Sequence, residues 1–360
     1  MNEQLLNKVN ELFKDKVYLV GGSVRDILLN KTPNDYDFTT SLSPDEIEAK
    51  IREVGKRPYL VGKRFGTVGV KIEGQLIEIT TFRSESYTKG NRKPQVEFVT
   101  SLSDDLSRRD FTINAMAIKS DGTYIVGKNH SKLIDPFNGQ DDLNKYLIKA
   151  VGNPTIRFKE DPLRMLRACR FASQLEFKIE EKTFKSIIKN AHHILDVSKE
   201  RWMMELDKLL LGEYVEVGLT YLFQTGLMKF MLPELTLQYM FDQRTKHHMF
   251  HLHAHTTLVV KNSPKDINLR WAALLHDIAK PFIFQDKGDR NIYPMHEVVG
   301  GEFVEKISSY LKWSNERRKT VKELVLNHLS DESPLRKYDN MSKVLSLKNN
   351  NESLNTDRPI

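Results

Sequence analysis

Leu19-Val20-Gly21-Gly22-Ser23-Val24-Arg25-Asp26, closely followed by Asn34-Asp35-Tyr36-Asp37-Phe38, decides how this 360-residue chain folds. The first stretch runs from an apolar strand through two glycines into a helix. Glycines let the backbone approach an anion, and the helix N-terminus offers it free N–H groups. Arg25 adds a forked donor. The second stretch sets Asp35 and Asp37 two residues apart, so in a strand both project from one face. Two like charges held together are costly unless a cation joins them, and oxygen ligands of this kind suit Mg²⁺. A third acid, Glu78, lies between Ile77 and Ile79 on another expected strand and can complete the cluster. Two metals bridging a nucleotide triphosphate and an attacking hydroxyl are the standard solution for phosphoryl transfer.

Outward from this core, residues 2–15 carry Leu5, Leu6, Val9, Leu12 and Phe13 at helical spacing. Short β-rich runs follow at Val17–Val20, Thr67–Ile72, Leu76–Thr80 and Val96–Val99, with a helix opening at Ser43-Pro44-Asp45-Glu46. Residues 1–150 therefore read as a mixed α/β head. From Glu160 the pattern is almost wholly helical, with helices expected at 160–175, 181–191, 198–211, 215–226, 256–262, 268–279, 296–312 and 315–329. This body divides into a neck (151–235), a second helical domain (236–330) and a polar, Asn-rich tail (331–360) expected to be partly disordered. With 39% hydrophobic and 29% charged residues, collagen-like, coiled-coil and wholly disordered readings fall away, and no apolar run approaches the roughly 20 residues of a membrane span. The polar start, Met1-Asn2-Glu3-Gln4-Leu5, lacks the features of a signal peptide, and the single cysteine, Cys169, fits a reducing compartment, so a cytoplasmic protein is expected. A net charge of +7 has the right sign for RNA.

The segment Leu19–Asp37 resembles the signature of the class II tRNA nucleotidyltransferases and bacterial poly(A) polymerases, within the polymerase-β nucleotidyltransferase superfamily. Four further blocks agree in order: Arg108-Arg109-Asp110-Phe111-Thr112-Ile113-Asn114-Ala115; Asp135-Pro136-Phe137-Asn138-Gly139 with Asp142-Leu143; Glu160-Asp161-Pro162-Leu163-Arg164 with Arg167 and Arg170-Phe171; and Glu200-Arg201 through Glu205 to Leu209-Leu210. The resemblance implies an α+β fold, with a mixed-sheet nucleotidyltransferase head before an all-α body. It assigns Asp35, Asp37 and Glu78 to Mg²⁺-dependent catalysis. It assigns Gly21, Gly22, Ser23, Arg25, Arg109, Asp110, Asn114, Asp161, Arg164, Arg167 and Arg170 to nucleotide binding. It also places a loop tied to the switch from CTP to ATP at Arg83–Pro94, with Tyr87, Lys89, Arg92 and Lys93. Gly62-Lys63-Arg64-Phe65-Gly66-Thr67-Val68 leans towards tRNA enzymes.

Asp161 and Arg164, three residues apart, would share a helix face. A carboxylate accepts from an exocyclic amino group while a guanidinium donates to a ring nitrogen. Cytosine and adenine both present that pair of groups, and uracil and guanine do not, so one Asp/Arg pair accepts C and A and leaves buried groups unpaired with the wrong base.

In the body, His247, His248, His251, His253 and His255 fall within nine residues, and Leu274-Leu275-His276-Asp277-Ile278-Ala279-Lys280 and Met295-His296-Glu297 follow. These resemble the HD phosphohydrolase superfamily. The resemblance makes His255, His276, Asp277 and His296 metal ligands, with His328 a further candidate. Imidazole and carboxylate together suit Mn, Ni, Fe or Zn, and a bound metal can activate water for phosphodiester hydrolysis.

The resulting expectation is a CCA-adding enzyme that uses CTP and ATP on the tRNA 3′ end, with no membrane partner and with its oligomeric state open. The alternatives are a poly(A) polymerase, an A-adding or CC-adding enzyme of the same family, an HD-type phosphodiesterase whose head only binds substrate, and a catalytically idle RNA-binding protein.

Overall fold

A computed structural model describes residues 3–14, 16–86, 95–119, 133–239, 241–244 and 251–353. The chain forms two compact units, Met1–Glu160 and Asp161–Ile360.

The strands of the first unit that matter for the site are β1 (Val17–Val20), β2 (Asp37–Thr40), β3 (Pro58–Tyr59), β4 (Thr67–Ile72), β5 (Gln75–Thr81), β6 (Arg83–Ser86), β7 (Gln95–Phe98), β8 (Ala117–Lys119) and β9 (Leu133–Ile134). Seven form a mixed sheet in the order β3-β4-β5-β2-β1-β8-β9, and β6 and β7 pair separately. Only β2 and β5 run parallel among the pairs that carry the acids. Period-two alternation gives the sheet its two faces. Phe38, Val68, Val70, Ile72, Ile77 and Ile79 are buried on one, where α1 (Glu3–Phe13) and α3 (Pro44–Glu53) pack. The acids stand on the other. As expected, α3 starts at Ser43 with a reciprocal capping box to Glu46 and Pro44 in the first turn. The unit also contains α2 (Gly22–Leu28), α4 (Leu102–Ser107), α5 (Gly139–Asn144) and α6 (Pro154–Glu160).

The second unit is helical: α7 (Leu163–Leu175), α8 (Glu181–Asn190), α9 (Lys199–Leu210), α10 (Val215–Gln224), α11 (Leu227–Met231), α12 (Pro233–Thr236), α13 (Leu252–Asn262), α14 (Ile267–Leu275), α15 (Lys280–Ile283), α16 (His296–Tyr310), α17 (Asn315–Leu326) and α18 (Pro334–Ser353). No helix among the described residues is long and apolar enough to cross a membrane.

Three expectations change. The helix expected over 160–175 is broken, because Pro162 caps α7 and Asp161 lies outside it. Residues 151–160 go with the head, as α6 closes the first unit. Of the 331–360 stretch assigned to a partly disordered tail, residues 334–353 form α18, which packs on α13 with Leu335, Asp339 and Ser342 buried, and 354–360 lie outside the described residues. Asp339 is paired there with His255 (3.2 Å) and Lys343 (2.7 Å). Tyr87, Lys89, Arg92 and Lys93 of the expected loop, and His247 and His248, lie outside the described residues.

Candidate functional site

Asp35 and Asp37 bracket Tyr36, which is buried while both acids are exposed. The expectation that one strand carries both acids changes: β2 begins only at Asp37, and Asp35 sits in the bend before it. Ser23 fixes that bend: its hydroxyl donates to the Asp35 carbonyl (2.9 Å) and accepts from the Asp37 N–H (3.2 Å). Its hydroxyl thus orients the acids. Across the parallel pairing, Asp37 faces Glu78 in register. Protein packed round the Asp37 carboxyl raises its pKa, Arg109 opposes this, and Glu78 and Asp35 reinforce it. A carboxyl that disfavours its own ionised form beside two further acids, a set with only oxygen donors, fits a hard divalent cation.

Gly21, between β1 and α2, has φ 72°. A Cβ there would lie 3.0 Å from Arg109 Nη1 and 3.9 Å from Asp37 Oδ2, so glycine opens the space between the guanidinium and the acid. Arg25 donates from Nη1 to Asn114 Oδ1 (2.7 Å) and from Nε and Nη2 to Asp26, and Asn114 donates to Asp110 (3.2 Å). Arg25, Asn114 and Asp110 are buried and brace one another beside the strand-to-helix turn. Arg109 reaches Asp105 (3.4 Å), and Arg108 donates to the same carboxylate (2.9 and 3.0 Å).

Asp105 escaped the sequence reading. It is fully buried and also accepts from Thr39 on β2 and the Arg83 N–H on β6. The signal was present, since Asp105 lies three and four residues before Arg108 and Arg109. In the third motif, Asp135 caps α5 through the Gly139 and Gln140 N–H groups, and Asp142 accepts from Thr112. These acids support the turn that carries Asn114.

In the second unit, Asp161 is not on a helix face with Arg164. It precedes α7, accepts from the Leu163 N–H (3.2 Å) and is held by Arg201 at 2.8 Å. Arg164 is buried on the first turn. Arg167 and Arg170 converge on Glu205 of α9 (3.4 and 2.8 Å), with Arg170 over the Phe171 ring.

The histidine expectations meet at Asp277, which is 1% exposed. Its Oδ2 faces His276 Nε2 (3.1 Å) and His255 Nε2 (3.5 Å); its Oδ1 faces His296 Nε2 (3.3 Å) and His328 Nε2 (3.8 Å). Asp339 of α18, which no sequence pattern marked, lies 3.2 Å from His255 Nε2. Two groups suited to a metal result, His255/His276/Asp339 and Asp277/His296/His328. In His276, His296 and His328, Nδ1 lies 2.7–3.0 Å from a backbone carbonyl, that of Ala273, Tyr293 and Val325 respectively. That contact places a proton on Nδ1, so in the neutral ring it is the Nε2 lone pair that is directed at the carboxylates. Asp277 Oδ1 is buried without a hydrogen-bond donor. Lone pairs facing lone pairs fit a cation between them. Burial also holds His328 neutral, with its pKa down at about 4. Lys280 donates to Asp277 Oδ2 (2.6 Å).

The family model described as "Poly A polymerase head domain" matches residues 17–149, "Probable RNA and SrmB- binding site of polymerase A" matches 176–238, and "HD domain" matches 245–351. The CCA-adding enzyme of Bacillus velezensis is 45% identical over 222 residues, 61% of this chain and 52% of its own length. That of Enterococcus faecalis is 49% identical over 212 residues, 58% of this chain and 49% of its own. The chain thus spans about half the length of the curated relatives it matches. The Bacillus stearothermophilus CCA-adding enzyme in complex with CTP matches with a TM-score of 0.60 at 26% identity, covering 97% of this chain and 83% of that one. The Thermotoga maritima CCA-adding enzyme complexed with tRNA shares the fold (TM-score 0.62, 23% identity, 96% of this chain and 77% of that one). With five ordered motifs, an acid row shared by β2 and β5 and matches along both units, the chain is similar in both units to CCA-adding enzymes and carries a poly(A)-polymerase-type head, an RNA-binding region and an HD domain.

Proposed function

We propose that the protein adds C, C and A from CTP and ATP to the 3′ end of tRNA without a nucleic-acid template, releasing pyrophosphate. The observation that carries this reading is the row of Asp37 and Glu78, with Asp35 beside it, on the open face of the sheet next to the space between Gly21 and Arg109. Asp35, Asp37 and Glu78 would hold Mg²⁺, which supplies charge neutralisation and activates the attacking hydroxyl. The Gly21–Gly22 turn and Arg109 would receive the triphosphate, with Arg25, Asn114 and Asp110 bracing that wall. Asp161, held by Arg201, and Arg164 would read the amino group and ring nitrogen shared by C and A. Arg167 and Arg170 stand on the same helix, fixed by Glu205. The helical unit would grip tRNA through phosphate contacts, so affinity falls as salt rises.

The test is incubation of the protein with Mg²⁺ and tRNA lacking CCA, with labelled CTP, ATP or both. Three additions that need both nucleotides support the proposal. A stop after two Cs, one A only on CC-ended tRNA, or growth on ATP alone would replace it with CC addition, A addition or poly(A) synthesis.

A second reading rests on Asp277, whose two oxygens face two histidine sets. His255, His276, Asp277 and Asp339, and Asp277, His296 and His328, would hold Mn, Ni, Fe or Zn. The metal supplies an activated water for phosphate-ester hydrolysis. Phosphodiesterase turnover that depends on added metal, is lost in Asp277→Asn and is kept in Asp37→Asn supports it; hydrolysis indifferent to Asp277 would exclude it.

A further inference from the structure

The row that holds the acids continues past them. Asp37 of β2 faces Glu78 of β5, Glu78 faces Gly69 of β4, and Gly69 faces Tyr59 of β3. Register partners project from the same face, so these four residues form one line across four strands. At about 4.8 Å per strand, Tyr59 stands about 10 Å from Glu78 and about 14 Å from Asp37. Gly69 has no side chain, and its neighbours close over it: Tyr59 Cβ and Leu76 Cδ1 lie 3.2 and 3.4 Å from where its Cβ would be. Their outer surfaces stay open, with Tyr59 44% and Leu76 52% exposed. Lys71, two residues beyond Gly69 and opposite Leu76, is an exposed cation on the same face.

Neither Tyr59 nor Leu76 serves the hydrophobic core, which lies on the opposite face. An open ring and an apolar neighbour beside a lysine match unpaired nucleic acid, whose bases stack on aromatic faces while its phosphates meet cations. Position then separates the two substrates. The Gly21–Arg109 space adjoins β1, on one side of Asp37, while Tyr59 is on β3, on the other. The acids stand between the triphosphate wall and the platform, as transfer from one to the other requires.

We infer that Tyr59 and Leu76 form a stacking platform for the unpaired nucleotides at the 3′ end of the acceptor RNA, which crosses the open sheet face towards Asp37. This rests on the nucleotidyl-transfer reading of the head. At about 3.4 Å per stacked nucleotide, the distance to Asp37 spans about four nucleotides. The platform therefore holds bases upstream of the reacting hydroxyl.

The test is steady-state incorporation into tRNA lacking CCA by the full chain and its Tyr59→Ala, Leu76→Ser and Tyr59→Phe variants. Both truncations should raise KM for the RNA at least about fivefold, the low end of a base–aromatic stack. They should leave KM for CTP and kcat at saturating RNA unchanged, and Tyr59→Phe should behave as wild type. In parallel, tRNA with 4-thiouridine about four nucleotides from its 3′ end should crosslink to peptides containing Tyr59 or Leu76. An unchanged KM for RNA in both truncations, or crosslinks confined to other peptides, overturns the platform. Active wild type with indifferent variants sinks the platform alone. Wild type that incorporates nothing sinks the transfer reading, and the crosslink still decides the platform. Should Tyr59→Ala fail to fold, Leu76→Ser and the crosslink carry the test.

Discussion

Asp37 and Glu78, 41 residues apart in sequence, are direct register partners in the parallel pairing of β2 with β5. The backbone ladder therefore holds two like charges on one face, and the cost is visible at Asp37, whose pKa is raised by the protein around it and by Glu78 and Asp35 against the pull of Arg109. A fold that holds acids together at such a cost does so for a cation.

Asp37→Asn should accordingly cut nucleotide incorporation by about 10³-fold or more, the scale of metal stabilisation of a phosphoryl transition state. It should leave the melting temperature of the metal-free protein unchanged or higher, because a strained charge is removed. Single-turnover incorporation and a thermal melt at pH 7 measure both. Loss of activity with an equal loss of stability would mean that Asp37 is structural.

Asp105 carries a different expectation. Its buried carboxylate takes donors from Arg108, Arg109, Thr39 and the Arg83 N–H. Asp105→Asn removes the counter-charge but not the shape, and breaking a buried pair costs about 3–5 kcal/mol. Because Arg109 loses its anchor, KM for the nucleotide should rise further than KM for RNA. Chemical denaturation and the two KM values test this.

Gly21→Ala should be costly for two reasons. Its φ of 72° with ψ of −138° is a backbone conformation essentially confined to glycine, costing a side chain about 1–3 kcal/mol, and the new Cβ would stand 3.0 Å from Arg109 Nη1. Weaker CTP and ATP binding with tRNA affinity retained is the expected result, read by equilibrium titration with each ligand.

Much of this is legible in the residues. The strand–Gly-Gly–helix turn, the alternation Asp35-Tyr36-Asp37 and the isolated acid in Ile77-Glu78-Ile79 each follow local rules, so the acids can be read from the chain alone, though not the bend that holds Asp35 ahead of β2. The Asp161–Arg164 helix face cannot, because the proline between them caps the helix and ejects Asp161. Asp339 is invisible for another reason. It sits on α18, and no local pattern joins an acid to a partner, His255, that lies 84 residues earlier.

That long-range partnership makes metal content informative. Asp277 faces both histidine sets, whereas Asp339 belongs to the His255/His276 set alone. Asp277→Asn should abolish binding of Mn or Ni, and Asp339→Asn should lower the stoichiometry by about half. Elemental analysis after dialysis distinguishes these outcomes, and equal loss in both variants would mean that a single ion is bound.

His253 offers a control outside the ligand set. Its ring packs on Phe223 (4.1 Å) and Tyr239 (5.1 Å), and burial lowers its pKa to about 4 from an ordinary 6.5. Between those values the unfolded chain binds a proton that the folded chain does not. The stabilising neutral ring is therefore fully effective above about pH 6.5 and loses ground as pH falls towards 4. By pH 5 the penalty reaches at most about 2 kcal/mol, less whatever solvent reaches the ring. His253→Phe keeps the aromatic packing and removes the proton. Its stability should fall less than that of wild type between pH 6.5 and 5, as followed by urea denaturation at each pH. Parallel curves would place the acid sensitivity in the buried histidines round Asp277 instead.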